Sequence, residues 1–255
     1  MASAASFTER EFGGFPFLDL SFLPGRLLTA VACVRASRRT GSAAPPGPDE
    51  LNDVLTPLTA LAIRRMDMKL DIPGGPLAPE RQAAVNEALA TIAAAVPAWE
   101  PLVRLPIRFL RLRDGGRAIG ASCYAWPQHV LLGDDAFASR AELAEQVLHE
   151  VSHNWLYLVE EIKALQHRGC DHTLTLPSGT SEREPDEILG AAHVVLNVRR
   201  LWQRMDVDED QRSRRLTDLA SYLEGCLSLI DEARVCLTDD GQALADRLLQ
   251  EAVAA

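Results

Sequence analysis

Ser139-Arg-Ala-Glu-Leu-Ala-Glu-Gln-Val-Leu-His-Glu-Val-Ser-His-Asn-Trp-Leu-Tyr-Leu-Val-Glu-Glu-Ile-Lys-Ala-Leu-Gln166 is the stretch on which the fold turns. Ser139 and Glu142 have the spacing of a capping box, in which serine and glutamate satisfy each other's orphan amides. Leu148, Val151, Trp155, Leu158, Ile162 and Leu165 form one apolar stripe, so the spacing predicts a long helix to Gln166, which Gly169 can end. His149-Glu150-Val151-Ser152-His153 lies inside it. Two side chains at i and i+4 sit one above the other on a helix, about 6 Å apart along the axis. Two imidazoles so placed can converge on one divalent metal, and Glu150 beside them can serve as general base or orient a ligand. The plainer alternative is two half-buried histidines in ordinary hydrogen bonds.

Two histidines need a third ligand. Leu156 and Val159 stand where the metzincin extension requires glycine and histidine, so that route is closed. His167, Cys170, His172, Glu184, Glu187 and His193 are the candidates downstream. Glu160 and Glu161 lie two turns further along the same helix, too far to close the shell. Glu187 opens the next helix, where a first-turn carboxylate is also comfortable without a metal. His193 stands in Leu189-Gly-Ala-Ala-His-Val-Val-Leu, among apolar and small residues, where an imidazole needs a partner. A metal is one such partner and a core hydrogen bond is the other. His193 is the preferred third ligand, with Glu187 as the alternative.

Upstream of the helix, Leu102–Arg113, Arg117–Trp126 and His129–Gly133 carry β-branched, aromatic and alternating residues. Asp114-Gly-Gly between the first two is a hairpin signal. Further upstream, Asp49–Lys69, with Pro57 able to divide it, and Pro79–Val96 have helical patterns. Downstream, helices are expected over about Asp186–Met205, Thr217–Leu237 and Asp240–Val253. Thr40-Gly-Ser-Ala-Ala-Pro-Pro-Gly-Pro-Asp49 has the composition of a connection. It separates an irregular apolar lead-in and a short helix near Leu27–Arg38 from the rest of the chain. The expected organisation is a lead-in and linker over 1–48 and one metal-binding domain over 49–255. The expected fold is α+β and mostly helical, with a small antiparallel sheet beside the HExxH helix.

The 255 residues are 47% hydrophobic and 24% charged, a globular composition that excludes a wholly disordered chain. A net charge of −10 argues against nucleic acid as main partner. No apolar run reaches the length of a membrane span, and Met1–Gly14 lacks a signal-peptide pattern, so the cytoplasm is expected. Lys69 and Lys163 are the only lysines, which leaves anion binding to guanidinium groups. The five cysteines contain no Cys-x-x-Cys and are expected to be mostly small buried hydrophobes.

Val147–Trp202 resembles the HExxH-motif domain of bacterial peptide-modification proteins. The resemblance is carried by Leu148-His-Glu-Val-Ser-His-Asn-Trp, Arg183-Glu-Pro185 and Gly190-Ala-Ala-His-Val-Val. It implies iron(II), 2-oxoglutarate and hydroxylation of a side chain on a ribosomally made precursor peptide. Three histidines (His149, His153, His193) would leave room on iron for a bidentate 2-oxo acid and oxygen. The distal carboxylate would need an arginine. Arg200, seven residues after His193, shares its helix face, and Arg183 and Arg199 are alternatives. A zinc peptidase with Glu150 as base is the second reading, and a non-catalytic partner protein the third.

Overall fold

The computed structural model describes residues 5–42, 46–67, 71–113 and 118–254. Along them run α1 (Phe7–Phe12), α2 (Pro24–Thr40), α3 (Pro48–Val54), α4 (Pro57–Arg64), β1 (Gly74–Pro76), α5 (Pro79–Ala95), α6 (Glu100–Val103), β2 (Arg108–Leu112), β3 (Gly120–Ala121), β4 (His129–Leu132), α7 (Arg140–Glu160), α8 (Pro185–Trp202), α9 (Glu209–Ala233) and α10 (Asp239–Ala254). The chain is therefore α+β and mostly helical. Among the described residues no helix is long and apolar enough to cross a membrane.

The chain divides into two compact units, Pro24–Ile162 and Met1–Leu23 together with Lys163–Ala255. The apolar lead-in thus belongs with the C-terminal helices.

In the first unit α7 packs against α2, α5, α6 and β3. Ser139 Oγ accepts from the Glu142 amide at 3.2 Å and starts the helix. The helix is buried more widely than one stripe, since Leu143, Ala144, Val147, Leu156 and Val159 are covered along with Leu148, Val151, Trp155 and Leu158. Trp155 Nε1 donates to the Leu102 carbonyl at 2.9 Å, pinning α7 to α6. Pro57 divides the 49–69 pattern into α3 and α4, and Thr56 caps the second.

The sheet has the order β1-β2-β4-β3. Its central pair, β2 and β4, runs parallel from Arg108↔His129 to Arg111↔Leu132, while β1 and β3 join antiparallel at the two edges. The sheet is thus mixed rather than antiparallel. The expected pairing of β2 with the following strand is replaced by β4 inserted between them, and Asp114-Gly-Gly itself lies outside the described residues. The apolar run Val130-Leu-Leu132, 0% exposed, explains the central position of β4, because a strand covered on both faces reads as continuous hydrophobics.

In the second unit α8 packs against α9 and α10. The lead-in docks on these helices through defined bonds. The Thr8 amide donates to Asp240 Oδ1 at 2.7 Å, and Arg247 donates to Asp19 Oδ1 at 2.7 Å and to the Leu18 carbonyl. Residues 164–167 leave the helical path and pair with residues 236–238, with Thr238 N on the Leu165 carbonyl and His167 N on the Cys236 carbonyl. Their tertiary pairing overrides the helical periodicity up to Gln166. Gly241 is required by this approach, since any Cβ there would collide with the Leu165 carbonyl. Cys170 and Cys236 form a disulfide, while Cys226 is buried, Cys123 half-buried and Cys33 exposed. The bond and the exposed Cys33 depart from the expectation that the cysteines are mostly small buried hydrophobes.

Candidate metal centre

Helical geometry puts Gln146, His149, His153 and Tyr157 on the half-open strip of α7, three or four residues apart. The His149 and His153 rings stand 5.0 Å apart between centroids, and His153 stacks on Tyr157 at 6.0 Å with 13° between the planes. Two imidazoles on successive turns with an open side are a donor pair that fits a divalent metal.

Glu150, next to His149 in the sequence, is 3% exposed. Its Oε2 accepts from Ser122 Oγ at 2.6 Å and its Oε1 from Gln146 Nε2 at 2.8 Å. The close approach of β3 makes this arrangement possible. A Cβ on Gly120 would stand 2.9 Å from Glu150 Oε1 and would collide with the Gln146 amide. Tyr157 Oη points at the Ser122 carbonyl, 3.5 Å away. Burial first, then the carboxylates of Glu160 and Glu150, push the Tyr157 phenol well above its usual range, so it stays a donor. Tyr124 packs edge-on to Tyr157 at 6.2 Å. Ser122, Gln146, Tyr124 and Tyr157 are thus parts of the site that motif spacing misses. Only Gln146 and Tyr157 carry a signal, being one turn before and after the histidines.

The other expected residues lie in the second unit and are engaged there. His193 is 0% exposed, its Nε2 donates to the Pro16 carbonyl at 2.8 Å, and its ring packs edge-on to Phe17 at 6.2 Å. Burial depresses its pKa to about 4, against the pull of that hydrogen bond, so it is a neutral core imidazole. Arg200 is ion-paired with Glu251 and donates to the Phe17 carbonyl at 2.9 Å. Arg183 pairs with Glu187 Oε1 at 2.5 Å, and Glu187 Oε2 accepts the Glu184 amide as the capping carboxylate of α8. Glu184 accepts from Gln166, His172 Nε2 stands 3.4 Å from Glu232, His167 is exposed, and Cys170 is in the disulfide. Among the described residues no group of three or more His, Cys, Asp or Glu side chains gathers to hold a metal. The donor pair lies in the first unit, and the candidate third ligands lie in the second.

Asp186, next to this cap, has its carboxyl raised to about 6, by burial first and then by Glu184 and Glu187. A carboxyl raised on folding favours the protonated native state. Stability from this group therefore falls as the pH rises from about 4 through 6, and the penalty is complete above 6. Asp186→Asn is expected to stabilise the protein at pH 7.5 by on the order of 1–2 kcal/mol, allowing for partial exposure, and by nearly nothing at pH 4. Urea unfolding at the two pH values checks this, and an equal effect at both would contradict it.

No protein-family model matches the chain, and no curated protein matches it significantly.

Proposed function

We propose that the protein is a metal-dependent oxygenase that uses iron(II) and 2-oxoglutarate to hydroxylate a side chain of a ribosomally made peptide. The observation that carries the metal is the His149–His153 pair on the half-open strip of α7. Iron(II) with 2-oxoglutarate supplies oxygen activation when bound. His149 and His153 hold the metal. Ser122 and Gln146 hold Glu150 in place, and Glu150 in turn orients the Gln146 amide. Tyr157 and Tyr124 form an aromatic wall beside His153 and limit water there.

The state of Glu150 favours this reading over a zinc peptidase. A general base must reach the proton of the attacking water. Both Glu150 oxygens are instead engaged by donors in a buried position. Glu150→Gln is therefore expected to leave iron- and 2-oxoglutarate-dependent succinate formation within about tenfold of wild type. A loss of ~10²-fold or more with metal binding intact is the signature of general-base catalysis and would transfer the site to the peptidase reading.

A further inference from the structure

Between residue 166 and α8 the chain makes an excursion whose two ends are tied together and whose middle is held lightly. Gln166 ties the ends. Its Nε2 donates to Glu184 Oε2 at 2.7 Å, and its Oε1 accepts from the Asp186 amide at 3.4 Å. Among the described residues 171–184 only Leu174 is buried. The backbone bonds of this loop join its own two arms, Leu174 to Arg183 at 2.8 and 3.0 Å and Leu176 to Thr180 at 2.9 Å. It meets α9 through Pro177, which lies against Gly225, and through a hydrogen bond between Ser178 and Tyr222. An exposed loop with tied ends and so few buried groups belongs to the low end of local stability.

One covalent bond fastens it. Cys170, in the loop, is joined to Cys236, which ends the short turn Arg234–Cys236 between α9 and α10. The two sulfurs differ in access, since Cys170 is half-exposed and Cys236 is 5% exposed. The chain beside them is paired without the disulfide. His167 N donates to the Cys236 carbonyl at 2.8 Å and Thr238 N to the Leu165 carbonyl at 3.0 Å. Thr238 Oγ1 donates to the Ala164 carbonyl at 2.7 Å. These bonds keep the base of the loop in place when the S–S bond opens, so the two thiols stay neighbours and can rejoin.

We infer that Cys170–Cys236 is a reversible latch, opened by a dithiol reductant and closed by a disulfide oxidant, that frees or fixes the loop 168–183 on α9. Exchange starts at the accessible sulfur. A thiolate of the reductant attacks Cys170 Sγ, the S–S bond breaks, and the electron pair leaves on Cys236 Sγ, which takes up a proton. The second thiolate of the reductant then attacks its partner sulfur and releases Cys170, which is protonated in turn. The protein gains two electrons and two protons, and the dithiol loses the same to become a disulfide. Cys226 takes no part, because it is 0% exposed and burial pushes its thiol up to about 11. The latch is independent of the metal reading, since its residues lie in the second unit and the imidazole pair in the first.

The test uses the full chain carrying Cys33→Ser, which removes the exposed thiol. It is treated with dithiothreitol without denaturant and then with oxidised glutathione. At each stage maleimide labelling with mass spectrometry maps the thiols, and hydrogen–deuterium exchange follows the backbone amides. Before reduction neither Cys170 nor Cys236 is expected to label. After it Cys170 is expected to label at least about tenfold faster than Cys236, as their exposures require. The amides of 171–183 are expected to exchange at least about tenfold faster, and those of His167 and Thr238 to change by less than about threefold. Cys226 is expected to stay unlabelled throughout, which reports an intact fold. Oxidised glutathione is expected to restore slow exchange. Cys170→Ser/Cys236→Ser is expected to match the reduced chain, and if it does not fold the dithiothreitol-treated chain carries the test. Labelling of Cys170 before reduction, reduction that requires urea, or labelling of Cys226 on reduction overturns the latch. So does exchange of 171–183 unchanged within about twofold, or failure of oxidised glutathione to reverse the change.

Discussion

Glu161→Ala is expected to destabilise the protein by about 3–5 kcal/mol, the scale of breaking a buried ion pair from one side. The side chain is 3% exposed and faces Arg35 and Arg64 together. Its removal leaves two buried guanidinium groups with no opposite charge between them. Arg35 would keep the Val54 carbonyl and Gln128 as partners and lose both arms of its fork. Gln128 cannot turn to compensate, because its amide nitrogen is committed to the carbonyls of Leu55 at 2.7 Å and Pro106 at 2.8 Å. The pair is costly to break and need not be worth much in itself. Replacing Arg35 and Glu161 together by leucine is therefore expected to cost less than Glu161→Ala alone, a non-additive result diagnostic of a coupled buried pair. Urea unfolding with a common slope measures both. A cost for Glu161→Ala below about 1 kcal/mol would mean that water reaches the trio freely.

The second large effect is expected at the imidazoles. His153→Ala should lower divalent-metal affinity by at least ~10²-fold, beyond the loss that comes from removing a residue that merely supports a ligand. His149→Ala should do the same. The fold should survive both, because α7 is started by Ser139, pinned by Trp155 and buried along Leu143, Val147, Leu148, Val151 and Leu158. His153 contributes ring contacts to His149 and Tyr157 at the half-open face, whose loss costs about 1 kcal/mol or less. Circular dichroism and a metal titration on the same samples separate loss of the site from loss of the fold. Retention of wild-type affinity in either variant would place the metal elsewhere.

The helix that carries the histidines is legible in the sequence because local and global signals agree there. Its serine cap, its apolar spacing and its length all specify the same element. The strands are legible as segments but not as a sheet. Nothing local tells β2 that its neighbour is β4, since pairing order is fixed by the covering of Val130–Leu132 and not by the turn that comes after β2. The end of α7 is hidden for a similar reason. Residues 164–167 have helical spacing, but their bonds to residues 236–238, far along the chain, prevail.

The site divides along the same line. His149, Glu150 and His153 announce themselves by spacing on one helix. Ser122, Tyr124, Arg35 and Arg64 come from other places in the sequence, and only folding brings them to Glu150, Tyr157 and Glu161. His193 shows the converse. Its apolar setting does demand a partner, and that partner is the Pro16 carbonyl of the lead-in, 177 positions earlier. Arg200 lies on α8 where the helical pattern puts it and Arg183 just before that helix, and the carboxylates of Glu251 and Glu187 pair with them. Glu161 is too distant to serve the metal, and it organises two arginines instead.

His149 and His153 are proposed to hold one divalent metal. The most direct test is an anaerobic titration of the metal-free full chain with cobalt(II), followed by optical absorption and by X-ray absorption at the cobalt edge. One equivalent is expected to bind per chain, with at least two imidazole nitrogens in the coordination shell, and both signals are expected to be lost in His149→Ala/His153→Ala. A chain that binds no stoichiometric metal, or whose double variant binds as wild type does, would contradict it.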